Sequence, residues 1–368
     1  MTRISARELA STTGPFGRGT EILRPSMVPE GSVVTVMRVP PECAGMRLDR
    51  FVQTQLKRTS RTRAQVIIAR GCYSPEAKPL RGNDRVKAEQ HILLWREPWD
   101  EKAPDVEVPI LYEDEHLLAV NKPPGIPVHP TARYHQSTVV KLLEAARPGD
   151  HLRLSHRIDR ETSGALLLAR TAEADRRVKV QFEARRSVDK HYLAITWGWP
   201  DEDAFRVELP LELDPTSRLK VKMHLAAPGT GLEARTGFDV LGRRVHPETG
   251  RRYAMVRCHL ETGRQHQIRL HLASLGLPIV GEKLYGGDEG LFTRGADGEL
   301  TEEDRRALEL DRHALHAAEL SLDHPMTGLR LKIEAPLPAD LQGFWDGLSV
   351  EGAEPATGRA GLSGDPPA

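Results

Sequence analysis

The segment from Leu154 to Arg170, LSHRIDRETSGALLLAR, constrains the fold most strongly. Its short, unbroken apolar run ALLLA is typical of a strand that is buried on both faces. Asp159 lies just before the Thr-Ser-Gly turn that leads into this strand, between Arg157 and Arg160. A loop held by a rigid strand is a common place for functional side chains. An isolated loop aspartate can equally accept hydrogen bonds from its own turn, so the position of Asp159 leaves both interpretations open.

Strand-like and helix-like segments alternate irregularly on both sides of this run. Such an order indicates an α+β fold with a mixed, mainly antiparallel sheet flanked by helices, rather than a doubly wound parallel sheet. The candidate strands are HLLAVNK, GALLLAR, KHYLAITWG, YAMVRCHLE and RLKIEAP.

The chain is long enough for two domains, because domains usually contain ~100–200 residues. Near the N-terminus, MRLDRFVQTQL and TSRTRAQVIIARG each have apolar residues at helical spacing, and Ser60 and Gly71 would begin and end the second helix. An earlier segment, SVVTVMRV, is a candidate strand. We expect five segments: a partly ordered extension (1–45), a small domain (46–97), a Pro-rich acidic linker (98–106), a larger domain (107–348) and a disordered tail (349–368).

Charge is distributed unevenly although 52 Lys and Arg residues balance 52 Asp and Glu residues. Residues 47–97 contain 12 basic and 5 acidic side chains, whereas residues 288–311 contain 3 basic and 9 acidic ones. A basic run is usually a solvated face, but this one lies in a small helical unit ahead of a larger domain, which favours RNA binding. The candidate RNA-binding residues of this unit are Arg47, Arg58, Arg61, Arg63 and Arg70.

Several functional classes are disfavoured by composition. No apolar run approaches the ~18 residues of a membrane span, and the N-terminus lacks the apolar core of a signal peptide, so we expect a cytoplasmic protein. Three widely spaced cysteines indicate neither a disulfide framework nor a metal cluster. His266 and His271 are five residues apart without an intervening Glu, unlike a zinc-protease helix, so we expect no metal. Monomer is the default oligomeric state.

A helix is predicted in TGRQHQIRLHLASLG, and its apolar side would consist of Ile268, Leu272 and Leu275. His266 and Arg269 are three residues apart and would share another face of this helix. Arg269 could be an ordinary surface charge. It could instead reach Asp159 and orient that carboxylate through the two-point fork of its guanidinium.

Tyr192 lies in the candidate strand KHYLAITWG, in which successive side chains face opposite ways. If the Leu-Ile-Trp side faces the core, Tyr192 faces a cleft. A strand tyrosine usually serves packing, but its ring would also offer a stacking surface for an unstacked base.

The sequence resembles the RluA family of pseudouridine synthases. HRIDRETSG is similar to the His-Arg-Leu-Asp-x-x-Thr-Ser-Gly signature of that family, and four further blocks occur in the family's order across about residues 111–336. These blocks are YEDEHLLAVNKPPGIPVHP, KHYLAITWG, TGRQHQIRLHLASLGLPIVGEKLYG and LHAAELSLDHP. The small domain also resembles the RNA-binding domain named after a ribosomal small-subunit protein, through RLDRF, a Ser-Arg helix start and ARG.

The resemblance implies the pseudouridine synthase fold and an enzyme that isomerises uridine in RNA, with ribosomal RNA the first candidate and transfer RNA the second. It implies that Asp159 is the catalytic aspartate, Tyr192 the active-site aromatic residue and Arg269 the arginine that pairs with the aspartate. Isomerisation involves no redox change, so we expect no cofactor. We expect further RNA contacts from Arg157, Arg160, Arg264 and His266.

Two other functional classes remain open. A non-catalytic RNA-binding protein could retain the fold, and a glycosidase would need a second carboxylate, for which Glu161 is the adjacent candidate. The chain also departs from the family pattern at Ile158, Gln265 and Glu282. HPTARYHQST replaces a glycine-rich loop, and residues 288–311 are expected to form an enlarged loop.

Overall fold

The computed structural model describes residues 3–5, 23–30, 32–56, 59–96, 106–130, 134, 136–184, 187–219, 221–227 and 229–350. The chain divides into two units, Met1–Lys102 and Ala103–Ala368. The predicted linker lies almost wholly outside the described residues.

The first unit contains two α-helices, α1 (Leu48–Gln55) and α2 (Arg61–Gly71), and a short 3-10 helix at Pro41–Cys43. Its strands are β1 (Arg3–Ser5), β2 (Val33–Arg38), β3 (Cys72–Tyr73) and β4 (His91–Arg96), which form a sheet in the order β1-β2-β4-β3. Both predicted helices are confirmed, and the Ser60 side chain accepts a hydrogen bond from the Arg63 backbone N–H at the start of the second one. β2 pairs with β4, so the unit begins earlier than the boundary at residue 46 that helical spacing alone suggested.

The second unit is built on an eleven-stranded sheet, with a separate two-stranded sheet formed by Leu211–Leu213 and Met223–Leu225. Its strands are β5 (Ile110–Glu113), β6 (Leu117–Lys122), β7 (Arg153–Leu154), β8 (Ser163–Ala169), β9 (Asp189–Trp197), β10 (Ala204–Val207), β11 (Leu211–Leu213), β12 (Met223–Leu225), β13 (Thr236–Val245), β14 (Arg252–Leu260), β15 (Leu315–Asp323), β16 (Arg330–Glu334) and β17 (Ser349–Val350). Its helices are α3 (Val139–Ala146), α4 (Ala172–Ala184), α5 (Gln267–Ser274), α6 (Gly290–Asp297), α7 (Glu302–Leu308) and α8 (Ala339–Asp346).

The large sheet is mixed and mainly antiparallel, as the sequence predicts. Its main order is β10-β13-β14-β9-β15-β8-β6-β5, and β15 with β8 is the one parallel pair among the described strands. β8 is fully buried: Leu166 and Leu168 join the core on one face of the sheet, and Leu167 joins the core on the other. The unbroken apolar run ALLLA therefore reflects burial on both faces.

Three sequence expectations differ from the structure. Residues 288–311 contain α6 and α7 instead of an enlarged loop, and α7 begins with a capping box between Thr301 and Asp304. β17 pairs with β13, so the predicted tail starts too early at residue 349; residues 351–368 lie outside the described part. Leu275 follows α5 and is 47% exposed, so only Ile268 and Leu272 form the predicted apolar side.

Gly164 allows β8 to approach β15 closely. Its φ angle is +111°, and a Cβ at this position would lie 2.2 Å from the backbone oxygen of Ala317. A residue other than glycine would therefore combine an unfavourable backbone conformation with a clash against a rigid strand.

We predict that Gly164→Ala destabilises the protein by about 3 kcal/mol, because β8 and β15 would have to separate. Gly149→Ala is the matched control: its φ is +100°, but a Cβ there meets nothing within 4 Å. It should cost about 1 kcal/mol. Thermal denaturation measures the Tm of each variant. An equal decrease in Tm for Gly164→Ala and Gly149→Ala would contradict the steric role of Gly164.

Candidate active site

Asp159 lies in the loop between β7 and β8, and this loop is fixed from behind by a buried lysine. The Lys122 side chain is completely buried. Its Nζ donates hydrogen bonds to the backbone carbonyls of Pro123 at 2.7 Å, Ile126 at 2.8 Å and Arg160 at 2.9 Å. Because Arg160 follows Asp159 directly, this cluster fixes the backbone at the candidate nucleophile.

The Thr-Ser pair after this loop anchors it to the region around β15. Thr162 Oγ1 is hydrogen-bonded to His313 Nε2 at 2.8 Å, and Ser163 Oγ to His316 Nδ1 at 2.9 Å. All four side chains are buried. The hydroxyl side chains are thus part of the framework that holds the loop.

Arg269 contacts Asp159 through a single donor. Its Nη1 donates to Asp159 Oδ2 at 3.0 Å, while Nε and Nη2 form a two-point fork with the carboxylate of Glu282 at 2.7 and 2.6 Å. The sequence-based expectation placed the fork on Asp159 and is wrong in this respect. Glu282 is 1% exposed, and a carboxylate so deeply buried requires the stronger pairing.

The charges around Asp159 keep its carboxylate ionised. Burial alone would raise the pKa of Asp159, but His266 and Arg269, followed by Arg157, hold it below the ordinary value. Burial likewise opposes ionisation of Glu282, and Arg269 nevertheless lowers the pKa of that carboxyl. The arginine therefore offsets the cost of holding two carboxylates in a poorly hydrated site.

His266 lies beside the same carboxylate oxygen. It precedes α5 in the left-handed conformation (φ 57°), so the turn and not a shared helix face places it near Arg269. Its Nε2 is 3.9 Å from Asp159 Oδ2, and its Nδ1 is 2.8 Å from the hydroxyl of Tyr285. Burial, together with the charge of Arg269, lowers the pKa of His266 to about 4. The imidazole is therefore neutral at pH 7, where Arg269 and Arg157 carry the charge that stabilises the Asp159 carboxylate. Protonated His266 adds to this stabilisation only at low pH.

Tyr192 lines the same cavity as Asp159. It lies on β9 with 9% of its surface exposed, and burial together with Asp159 raises the pKa of its phenol above the ordinary value. Ile195 and Thr196 are also buried, so the expected division of this strand into a core face and a cleft face does not hold. Tyr192 nevertheless borders the first cavity, although residues 194–196 are buried on both faces of the strand.

Two cavities meet at Asp159, whose side chain is 23% exposed. The first has a volume of about 420 Å³ and includes Tyr192 and Arg264 in its wall. The second, of about 380 Å³, includes Phe292 and Lys283. Both are bordered by Arg157, Ile158, Asp159, Gln265, His266 and Arg269.

The other predicted RNA contacts of this unit surround the cavities. Arg157 is exposed and borders both cavities. Arg160 borders the second cavity and donates to the hydroxyl of Tyr134 at 2.7 Å. Arg264 borders the first cavity, and its Nε donates to the backbone carbonyl of Glu233 at 2.9 Å.

In the first unit, the candidate arginines fall into two groups. The buried carboxylate of Asp49 pairs with Arg47 at 2.8 Å and with Arg61 at 3.3 Å. Arg63 and Arg70 are exposed on α2. Arg58 lies outside the described residues. The charges of Arg47 and Arg61 are therefore partly compensated by the carboxylate of Asp49.

Sequence reasoning missed three contributors to the site. Lys122 occurs in NKPPG, while Glu282 and Tyr285 occur in GEKLYG, and both segments belong to the family-like blocks. In the sequence, Glu282 stands out only as a departure from the family pattern. Their contacts depend on tertiary packing, although the charged and phenolic side chains within apolar surroundings were a usable signal.

The described residues also bear on metal binding and on membrane insertion. They contain no group of three or more His, Cys, Asp or Glu side chains arranged to hold a metal ion. No helix within them has the length and apolar character that crossing a membrane requires.

Comparisons with known proteins converge on one group of enzymes. The family model described as RNA pseudouridylate synthase matches residues 116–274. Ribosomal large subunit pseudouridine synthase D of Zymomonas mobilis is 34% identical over 319 residues, covering 82% of this chain and 93% of the relative. The protein of the same name from Pseudomonas aeruginosa is 35% identical over 310 residues, with 82% and 92% coverage. A solved structure titled human RNA pseudouridylate synthase domain containing 1 is 26% identical, with a TM-score of 0.54, and the match covers 68% of this chain and 91% of that one.

We predict that Glu282→Gln lowers the free energy of unfolding by about 3–5 kcal/mol at pH 7, because Arg269 loses its charged partner. The folded-state pKa of Glu282 is lowered, so its contribution is present above the unfolded value of ~4.3 and is lost as the pH falls below it. The difference in the free energy of unfolding between wild type and variant, measured by urea titration, should therefore be smaller at pH 3 than at pH 7.

The matched control is Glu303→Gln, which changes an exposed residue of α7. It should alter the free energy of unfolding by less than about 0.5 kcal/mol at either pH. An equal cost of Glu282→Gln at pH 7 and pH 3 would mean that its ionised form is not what stabilises the fold.

Proposed function

Because this chain belongs to the RluA family of RNA pseudouridine synthases, we propose that it modifies large-subunit ribosomal RNA and uses Asp159 as its covalent nucleophile. The activity of the family is the isomerisation of uridine in RNA. The choice of RNA and the roles of individual residues are our proposal.

The reaction requires one ionised carboxylate. The N-glycosidic bond between N1 and the sugar breaks, the uracil turns, and carbon 5 joins the sugar. Carbon 5 loses its proton and N1 takes one up, so that the product is an isomer of the substrate. A carboxylate that adds to the sugar or to the base divides this change into two easier steps. No oxidation state changes overall, so the proposed mechanism uses no cofactor.

The observation that carries the assignment is the single hydrogen bond from Arg269 to Asp159 Oδ2 at 3.0 Å. His266 faces the same oxygen at 3.9 Å. We therefore assign the attack to Oδ1, which these contacts do not engage. A two-point fork would have restrained both oxygens, whereas one donor orients the carboxylate and leaves an oxygen for the nucleotide.

Tyr192 is proposed to stack against the target base in the first cavity. A base inside a helix cannot reach Asp159, so the nucleotide must leave its stack at a cost of a few kcal/mol. Stacking on an aromatic ring offsets this by ~1–3 kcal/mol. The cavity volume of about 420 Å³ is within the ~300–1,000 Å³ typical of small-ligand sites. The exposed Arg157 would contact the RNA at the opening.

Glycoside hydrolysis is disfavoured by the position of Glu161. A glycosidase needs a second carboxylate that can activate water across the sugar from the first. Glu161 instead accepts hydrogen bonds from Lys283 Nζ at 2.9 and 3.1 Å and from the His313 backbone N–H at 3.2 Å. Its pairing supports isomerisation over hydrolysis, and free uracil as the product would contradict this conclusion.

The two curated relatives are named for the ribosomal large subunit, which supports ribosomal RNA as the substrate; transfer RNA is the second candidate. The first unit, whose basic helical segment lies within residues 46–97, would bind RNA while the second unit carries out catalysis. We also propose that the protein is a cytoplasmic monomer. Mapping pseudouridines in both RNA classes from a deletion strain and its parent identifies the target.

We predict that Asp159→Asn lowers turnover by at least about 10³-fold, because the amide is a poor nucleophile, while folding and RNA binding change little. The assay follows tritium released from carbon 5 of labelled uridine in RNA. Asp201→Asn, at an exposed position, is the control and should retain full activity. Turnover by a deamidation-free Asp159→Asn preparation would refute the assigned role.

We predict that the combined substitution of Arg63 and Arg70 by Ala weakens RNA binding and reduces its salt dependence. Each lost phosphate contact lowers the slope of log K against log salt by about 0.7–0.9, so two contacts lower it by up to about 1.8. The control is Arg38→Ala, whose exposed guanidinium already pairs with Glu89. An unchanged slope would show that α2 does not contact phosphates.

A further inference from the structure

We propose that the second cavity beside Asp159 receives the nucleotide adjacent to the target uridine and stacks its base on Phe292. This inference rests on the proposed function, because it assumes that the uridine itself occupies the first cavity. It assigns a binding role to α6, in the acidic segment 288–311.

The two cavities are placed to hold neighbouring nucleotides of one strand. They share Asp159 and the residues around it, whereas Tyr192 borders only the first and Phe292 only the second. Extruding one nucleotide pulls its covalently linked neighbour towards the same opening. A second cavity of about 380 Å³ at that opening can hold the neighbour.

The wall of the second cavity has the chemistry of a base-binding site. Phe292 and Ala296 are four residues apart on α6 and therefore share one helix face, which borders the cavity. The guanidinium of Arg160 lies 5.8 Å from the centre of the Tyr134 ring on the same wall. An aromatic platform next to arginines is the usual combination for binding unpaired nucleotides.

α6 is fixed to the rest of its unit at its start. Glu289, the residue before the helix, forms an ion pair with Lys222 and accepts a hydrogen bond from Ser217 at 3.1 Å. Within the helix, Arg294 pairs with Asp304 at 2.7 Å. Phe292 is thus presented by an anchored element.

The end of α7 is held equally well. Glu309 accepts hydrogen bonds from Trp197 Nε1 at 2.5 Å, from the Tyr253 hydroxyl at 2.8 Å and from Arg251 at 3.0 Å. Several acidic side chains of the segment therefore have partners within the protein. This pairing reduces the repulsion of RNA that the charge count of the segment suggests.

The test uses synthetic hairpins that contain the mapped uridine, either intact or with an abasic residue in place of its 5′ or its 3′ neighbour. With intact RNA, Phe292→Ala should raise KM about tenfold at unchanged kcat, because the stacking is present in both the ground state and the transition state. Phe292→Tyr should restore KM. Thr293→Ala, at an exposed position of α6, is the matched control and should leave both constants unchanged.

The abasic hairpins identify the occupant. For one of the two neighbours, removal of the base should raise the wild-type KM about tenfold, and Phe292→Ala should cause no further increase with that hairpin. If Phe292→Ala raises KM equally with all three hairpins, or with none, the inference is wrong. If the wild type is active but Phe292→Ala gives that result, only the binding role of Phe292 is wrong and the proposed function stands. If the wild type is inactive on every RNA, both the proposed function and this inference are wrong.

Discussion

The buried ion pair between Arg269 and Glu282 is the interaction on which the site depends. Removing two charges from water is costly, and the fork of two short hydrogen bonds at 2.7 and 2.6 Å offsets this cost. The same fork orients the guanidinium so that its remaining terminal nitrogen points at Asp159. The Asp159 carboxylate is therefore oriented through Arg269 by Glu282, and the cation that this glutamate holds in place helps to lower the pKa of Asp159.

The backbone under Asp159 is positioned by a separate set of contacts. Lys122 binds three carbonyls behind the loop, including that of Arg160, and Gly164 lets β8 lie against β15 as the one parallel pair among the described strands. Neither residue needs to contact RNA for this role. Their burial explains how a loop can hold a charged side chain in one orientation: a rigid, well-packed sheet leaves the loop few alternative conformations.

Charge counts along the chain overstate both its basic and its acidic surfaces. Asp49 pairs with two of the arginines in the basic segment, and much of the acidic segment is paired with Lys222, Arg294 and Arg251. Exposed arginines such as Arg63 and Arg70 are better candidates for phosphate contacts than the net charge of their segment indicates. The acidic segment likewise provides a helix that borders the site, in place of the expected loop.

The sequence alone determined the class of fold, the buried strand β8 and the family, because these depend on local periodicity and on short motifs that keep their spacing. It also brought Asp159, Tyr192 and Arg269 forward as one set of candidates. Only the tertiary structure decided the fork between Arg269 and Glu282, the left-handed turn at His266 and the second cavity. It also decided that β2 pairs with β4 and that β17 pairs with β13. Each of these joins residues through contacts that periodicity does not encode, since hydrogen bonds and packing between distant segments depend on where the completed sheet brings them together.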